Sequence, residues 1–143
     1  SPMLDLQPDE KLAPAMHFTA PIIAVHDVKA GTSVGYGGIW TATEDSRVAV
    51  IAVGYGDGYP REIQPGTQVL LGLERREIVG RVSMDLICIR LQPGDEAPVG
   101  EHVLLWGPGL PIEEVASRAG TIPYTLMCRI SERVRRVAVG GRH

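Results

Sequence analysis

Val48 to Val53 is an unbroken apolar run, and it ends abruptly in Gly-Tyr-Gly-Asp-Gly-Tyr-Pro-Arg, residues 54–61. A short run apolar on both faces reads as a strand that must be covered from both sides. The same Gly-Tyr-Gly triplet stands at residues 35–37, again after residues with strand character. Glycine on either side of a tyrosine packs poorly and costs backbone entropy, so it marks a bulge or a place where something approaches the backbone closely. Tyr36 and Tyr55 are therefore expected at strand ends, either open to a ligand or closing hairpin corners as aromatic plugs.

The rest of the chain is arranged around that run as short strands. Ser1 to Pro14, with three prolines and four charges and no period, reads as a linker. Ala15 to Val28 is expected to be a strand, Lys29-Ala30-Gly31 a turn, and a second short strand ends at Tyr36. Ile39 to Thr43 resumes the extended pattern before a polar turn at Glu44-Asp45-Ser46. Thr67–Leu73 and Arg75–Val79 form an expected hairpin. Gly80 to Leu91 reads as one long strand with Val82, Met84, Leu86 and Cys88 on one face, and Glu101 to Trp106 as another.

One helix is well marked. Pro111 starts it, Glu113 and Glu114 occupy its first turn, and Ile112, Val115, Ala116 and Ala119 line one side. Arg118 sits near its end and Gly120 follows, an order that suits the helix dipole and the start and stop rules. A second short helix is expected from Tyr124 to Arg129, then a last strand through Arg133 to Val139. Many short strands with turns about every 8 to 12 residues and little helix predict a mainly β fold: a β-barrel-like domain of about eight strands with one or two short helices near the C-terminus.

Composition narrows the class. At 143 residues, 44% hydrophobic and 22% charged with a net charge of -3, the chain has the make-up of one soluble globular domain. A basic stripe is missing, which argues against a nucleic-acid partner, and no apolar run is long enough to span a bilayer as a helix. Cys88 and Cys128 are far apart and outside any Cys-x-x-Cys pattern, and the four histidines lack metal-ligand spacing. Two reduced thiols, no metal site and a cytoplasmic location are expected. Among the basic residues only Lys11 and Lys29 are lysines, so arginine, suited to planar contacts with carboxylate or phosphate, predominates.

Four separated motifs then carry a resemblance. Val34-Gly-Tyr-Gly-Gly-Ile-Trp40, Val53-Gly-Tyr-Gly-Asp-Gly-Tyr-Pro-Arg61, Ile78-Val-Gly-Arg-Val-Ser-Met-Asp85 and Leu105-Trp-Gly107 resemble, in order and spacing, the C-terminal domain of alanine racemase. The resemblance runs from about Ala15 to about Val134. It implies a domain made mostly of strands, here separate from the N-terminal α/β barrel that holds pyridoxal 5'-phosphate on a lysine. Residues 1–14 would be the linker from that missing domain and 15–143 the C-terminal β-domain. Neither Lys11 nor Lys29 lies in a setting that would lower a lysine pKa.

The resemblance also implies roles. Alanine is the substrate, the full-length enzyme is a homodimer, and a tyrosine from the C-terminal domain acts as a base in the partner subunit's site; by motif position this is Tyr36. A phenol with an ordinary pKa near about 10 needs positive charge or hydrogen bonds to serve so. Met84 matches the position whose backbone contacts the substrate carboxylate. Tyr55, Arg61, Arg81 and Ile122 match the active-site entrance, and Tyr124 matches an entrance tyrosine near the cofactor phosphate. Asp57 and Asp85 are either supporting acceptors or turn caps. The end of the chain departs from the family: Arg133-Val-Arg-Arg-Val-Ala-Val lacks the usual proline and aromatic. Alternatives are a free-standing β-barrel interaction module, or the C-terminal domain of another fold-type-III racemase or a decarboxylase. The Gly-Tyr-Gly-Gly and Ser-Met-Asp pair favours the racemase.

Overall fold

The computed structural model describes residues 17–34 and 40–130. The expected barrel is present. Eight strands, β1 (Phe18–Val28), β2 (Ser33–Val34), β3 (Trp40–Thr41), β4 (Ser46–Ile51), β5 (Gln68–Leu71), β6 (Glu74–Val79), β7 (Ile87–Leu91) and β8 (His102–Trp106), precede a helix α1 (Ile112–Arg118). A second helix, α2, covers residues 123–130. Six strands close into an antiparallel barrel in the order β1-β4-β7-β6-β5-β8, and β2 and β3 form a separate hairpin. The expected last strand through Arg133 to Val139 and the linker 1–14 lie outside the described residues.

β1 closes the barrel by serving two neighbours. Phe18 to Pro21 pair with β8, and Ile22 to Val28 pair with β4. The register slips between Ile22 and Ala24, where an irregularity bends the strand from one partner to the other, the usual task of a bulge in a small barrel.

The doubly covered strand is real, and it explains the apolar run. Ala49 and Ile51 of β4 point into the main core with Ile22, Ile87, Ile89, Val103 and Leu105. Val48, on the other face, packs in a second cluster with Val28, Ala42 and Val79, which the β2–β3 hairpin covers through Val34 and Trp40. Burial within this cluster pushes the Cys88 thiol up. Both cysteines are free thiols.

The long strand expected from Gly80 to Leu91 is a correction. Only Ile87–Leu91 is a strand. Gly80 takes a positive φ of 77°, and Ser83 folds back on Leu86: its hydroxyl donates to the Leu86 carbonyl at 2.9 Å and accepts the Leu86 N–H at 3.0 Å. A serine bonding its own nearby backbone competes with the strand ladder and wins here. Val82, Met84, Leu86 and Cys88 accordingly do not share one face's environment, since Val82 is buried. Met84 and Leu86 are exposed, while Ile87, Ile89 and Leu91 are buried. The hairpin of β5 and β6 and helix α1 stand as expected, with Ile112, Val115 and Ala116 buried and Gly120 at a φ of 70° beyond the helix end.

Polar side chains tie the loops to the barrel. Arg76 grips Asp95 with two bonds of 2.6 and 2.7 Å, the Gln92 N–H reaches the same carboxylate at 2.7 Å, and Arg47 donates to the Asp95 carbonyl at 2.6 Å. The Arg76 guanidinium, helped by the Gln92 N–H, holds the Asp95 carboxyl below the ordinary carboxylate range. A depressed carboxylate contributes stability that is present above its unfolded pKa and lost as pH falls through the folded one. Asp95→Asn is therefore expected to cost about 1–3 kcal/mol at neutral pH and less as pH falls below about 4. Urea unfolding of both proteins at stepped pH checks this; equal pH slopes for the two would refute it.

Candidate active site

The run that ends β4 and the segment that leads into β7 leave the barrel at the same end, because Ile51 pairs with Ile87. Residues 54–58 there form a tight turn whose middle, Tyr55–Asp57, is one turn of 3-10 helix. The Asp57 N–H donates to the Gly54 carbonyl at 3.0 Å, and the Gly54 N–H donates to Asp57 Oδ2 at 3.1 Å. Asp57 is thus a turn cap, as one of its two expected readings has it.

This turn grips the Ser83-Met84 backbone. The Tyr55 N–H donates to the Ser83 carbonyl at 3.0 Å and the Gly56 N–H to the Met84 carbonyl at 2.9 Å. Gly54 permits the approach: a Cβ there would lie 2.2 Å from the Ser83 oxygen and 2.4 Å from the Met84 oxygen. Gly58 ends the turn at a φ of 103°, where a Cβ would also strike Ile130 Cδ1 of α2 at 2.7 Å. The glycines expected to mark a close approach do so, but the approaching group is the protein's own backbone.

The side chains singled out in the sequence divide as follows. Tyr55 stands on the turn, with the Arg61 guanidinium carbon 4.9 Å from its ring centroid, a cation–π contact. Met84 is 57% exposed on the gripped segment, and Arg81 is exposed earlier in the same loop. Ile122 and Tyr124, 59% and 64% exposed, lie at the start of α2, whose far end touches Gly58. From Ile130 back to Tyr124 is about 9 Å along the helix. The Cys128 thiol, one turn on from Tyr124, pushes that phenol up. Tyr36 falls outside the described residues; on either side of it in the sequence, Val34 pairs with Trp40.

Of the exposed large apolar side chains described, Tyr55, Met84 and Leu86 stand on the turn and the segment it grips, Ile122 and Tyr124 at the start of α2, and Ile23, Leu73 and Val99 lie elsewhere. Exposed apolar side chains grouped on neighbouring segments mark a contact or ligand face. Tyr59, four residues after Tyr55, has the opposite fate: it is buried against Phe18 and Trp106, its hydroxyl has no hydrogen-bond partner among the described residues, and burial pushes the phenol far up. It is a core plug. Ser83 is the residue that sequence reading missed, although Gly80 before it and the polar Ser-Met-Asp sequence carried a turn signal.

Lys29, the one lysine described, is exposed at the opposite end of β1 from this turn, about 20 Å away along the strand. It does not belong to the site. Among the described residues no cluster of acidic, histidine or cysteine side chains can hold a metal ion.

The family model for "Alanine racemase, C-terminal domain" matches residues 15–138. The chain belongs to this family. The alanine racemase of Shewanella amazonensis is 51% identical over 130 residues, which are 91% of this chain and 36% of the relative. That of Coxiella burnetii strain RSA 331 is 46% identical over 131 residues, again 36% of its length. The biosynthetic alanine racemase structure from Pseudomonas aeruginosa superposes with a TM-score of 0.76 at 43% identity, covering 80% of this chain and 32% of that one. A Bartonella henselae alanine racemase with covalently bound pyridoxal phosphate gives 0.76 at 31% identity, over 82% of this chain and 33% of that one. The chain therefore spans about a third of the length of the racemases it matches.

In this alanine racemase domain, the two turn glycines differ in what an added methyl would meet. At Gly54 it meets backbone oxygens, whereas at Gly56 it meets the Met84 oxygen at 3.1 Å and the Met84 side-chain Cγ at 3.2 Å. Gly54→Ala is expected to destabilise the domain by about 1–3 kcal/mol or more, and Gly56→Ala by clearly less. Chemical denaturation of the two variants decides it; an equal effect would show that the Gly54 approach is not what limits the turn.

Proposed function

We propose that this domain supplies one half of the catalytic site of an alanine racemase, completed by an N-terminal barrel domain and a second subunit. The observation that carries this is the glycine turn locked onto the Ser83-Met84 backbone, with Tyr55, Met84, Leu86, Ile122 and Tyr124 left exposed on the segments around it. Exposed apolar side chains of that kind are what an N-terminal barrel domain would cover.

Interconverting L- and D-alanine removes the α-proton from one face and returns it on the other, which calls for two opposed bases. Tyr36 is the base this chain contributes, taking or giving the proton at its phenolic oxygen; the other is the cofactor lysine of the barrel domain. Pyridoxal 5'-phosphate, when bound, withdraws electrons and so acidifies the α-proton. The chain fits a supporting part toward that group rather than a holding one, because its described lysine is remote and the exposed Tyr124 phenol, beside the Cys128 thiol, can reach a phosphate oxygen. The Met84 N–H, which donates to no backbone group among the described residues, receives the substrate carboxylate. Tyr55, Arg61, Arg81 and Ile122 line the entrance and limit what passes. The work is cytoplasmic, and the isolated domain is inactive.

Racemisation of L-alanine with added pyridoxal phosphate tests this, for the chain alone and for the chain mixed with the barrel domain of a close relative. Activity is expected only in the mixture, and Tyr36→Phe is expected to lower kcat by at least about 100-fold. Activity of the chain alone would refute the divided site. Inactivity of a mixture whose halves demonstrably associate would favour an interaction module.

A further inference from the structure

We propose that Asp57, through the turn it closes, is a positioning residue that aims the Met84 main chain at the substrate carboxylate. The role rests on the racemase reading and deepens it. Asp57 and Gly54 bond each other reciprocally, N–H to carbonyl at 3.0 Å and N–H to carboxylate at 3.1 Å. That ring leaves the two enclosed N–H groups, of Tyr55 and Gly56, pointing outward to take the Ser83 and Met84 carbonyls at 3.0 and 2.9 Å.

The consequence follows from peptide planarity. The Ser83 carbonyl and the Met84 N–H belong to one trans peptide unit, so they point in opposite directions. With the carbonyl drawn into the turn, the Met84 N–H faces away from it. The Met84 carbonyl and the Asp85 N–H obey the same rule, so two adjacent N–H groups face the same side, which is a fit for an anion. The Ser83 hydroxyl, bonded twice to Leu86, fixes the segment from its other end. A carboxylate acceptor at residue 57 is what keeps the Gly54 N–H from competing for other partners and holds the turn closed.

The test uses Asp57→Ala, Asp57→Asn, whose amide oxygen can still accept the Gly54 N–H, and Ser83→Ala, which loosens the other end. In the 143-residue chain, amide exchange at Tyr55 and Gly56 is measured. In the chain assembled with a barrel domain, KM and kcat for alanine are measured together with inhibition by propionate, a carboxylate without the amine. For Asp57→Ala, exchange at both amides is expected to accelerate at least about tenfold, and KM and the propionate Ki to rise together by about tenfold, with kcat changed far less. Asp57→Asn is expected to restore most of each, and Ser83→Ala to shift KM and Ki in parallel; if Asp57→Ala does not fold, Ser83→Ala decides. A loss confined to kcat or to the fraction folded, with KM and Ki unmoved, overturns the positioning role while leaving the racemase reading intact. A wild-type assembly without racemase activity overturns that reading and this role with it.

Discussion

At Gly54, two stretches of backbone come closer than a side chain at residue 54 would allow, and the loops at this end of the barrel depend on that approach. The turn on one side gives its N–H groups to carbonyls on the other, so each loop satisfies polar groups that would otherwise need water or ligand. The contacts between the two loops are backbone to backbone, and Asp57 closes the turn through the Gly54 N–H. The exposed side chains that rim it, Tyr55 and Met84 above all, are thereby mounted on a fixed base, which is the condition for precise recognition by loops.

The two tyrosines of residues 54–61 show how the same motif divides its labour. Tyr59 turns inward onto Trp106 and fills the core, giving up any hydrogen bond for its hydroxyl among the described residues. Tyr55 stays outside with Arg61 across its ring. One anchors the loop by burial, and the other is held in place by a cation on its face, a weaker restraint that leaves its edge accessible.

The barrel, the helix α1 and the doubly covered β4 were legible in the sequence, because each follows from a pattern that local chemistry enforces: apolar runs, turn residues and helix ends. The stretch from Gly80 to Leu86 was not. Its alternation of Val82, Met84 and Leu86 matches a strand, and only the folding of Ser83 back onto Leu86 ends it, a tertiary choice with a weak local signal. At residues 54–56 the motif glycines marked a close approach, yet nothing in spacing tells that the close neighbour is backbone rather than ligand. The partition between Tyr55 and Tyr59 was equally illegible, since it depends on where Phe18 and Trp106 lie across the barrel.

β1 divides its pairing between β4 and β8, and that division has a kinetic meaning. Thr19 and His102, hydrogen-bonded across the seam at 3.2 Å, are 83 positions apart. Closing so long a loop costs entropy before any native contact at the seam repays it. While a ribosome is still making this domain, β1 can pair with β4 as soon as the first third has emerged, but its other edge stays open until β8 exists. For most of synthesis, therefore, the chain carries an unpaired strand edge, and the step that seals it is also the one that brings Trp106 into the core.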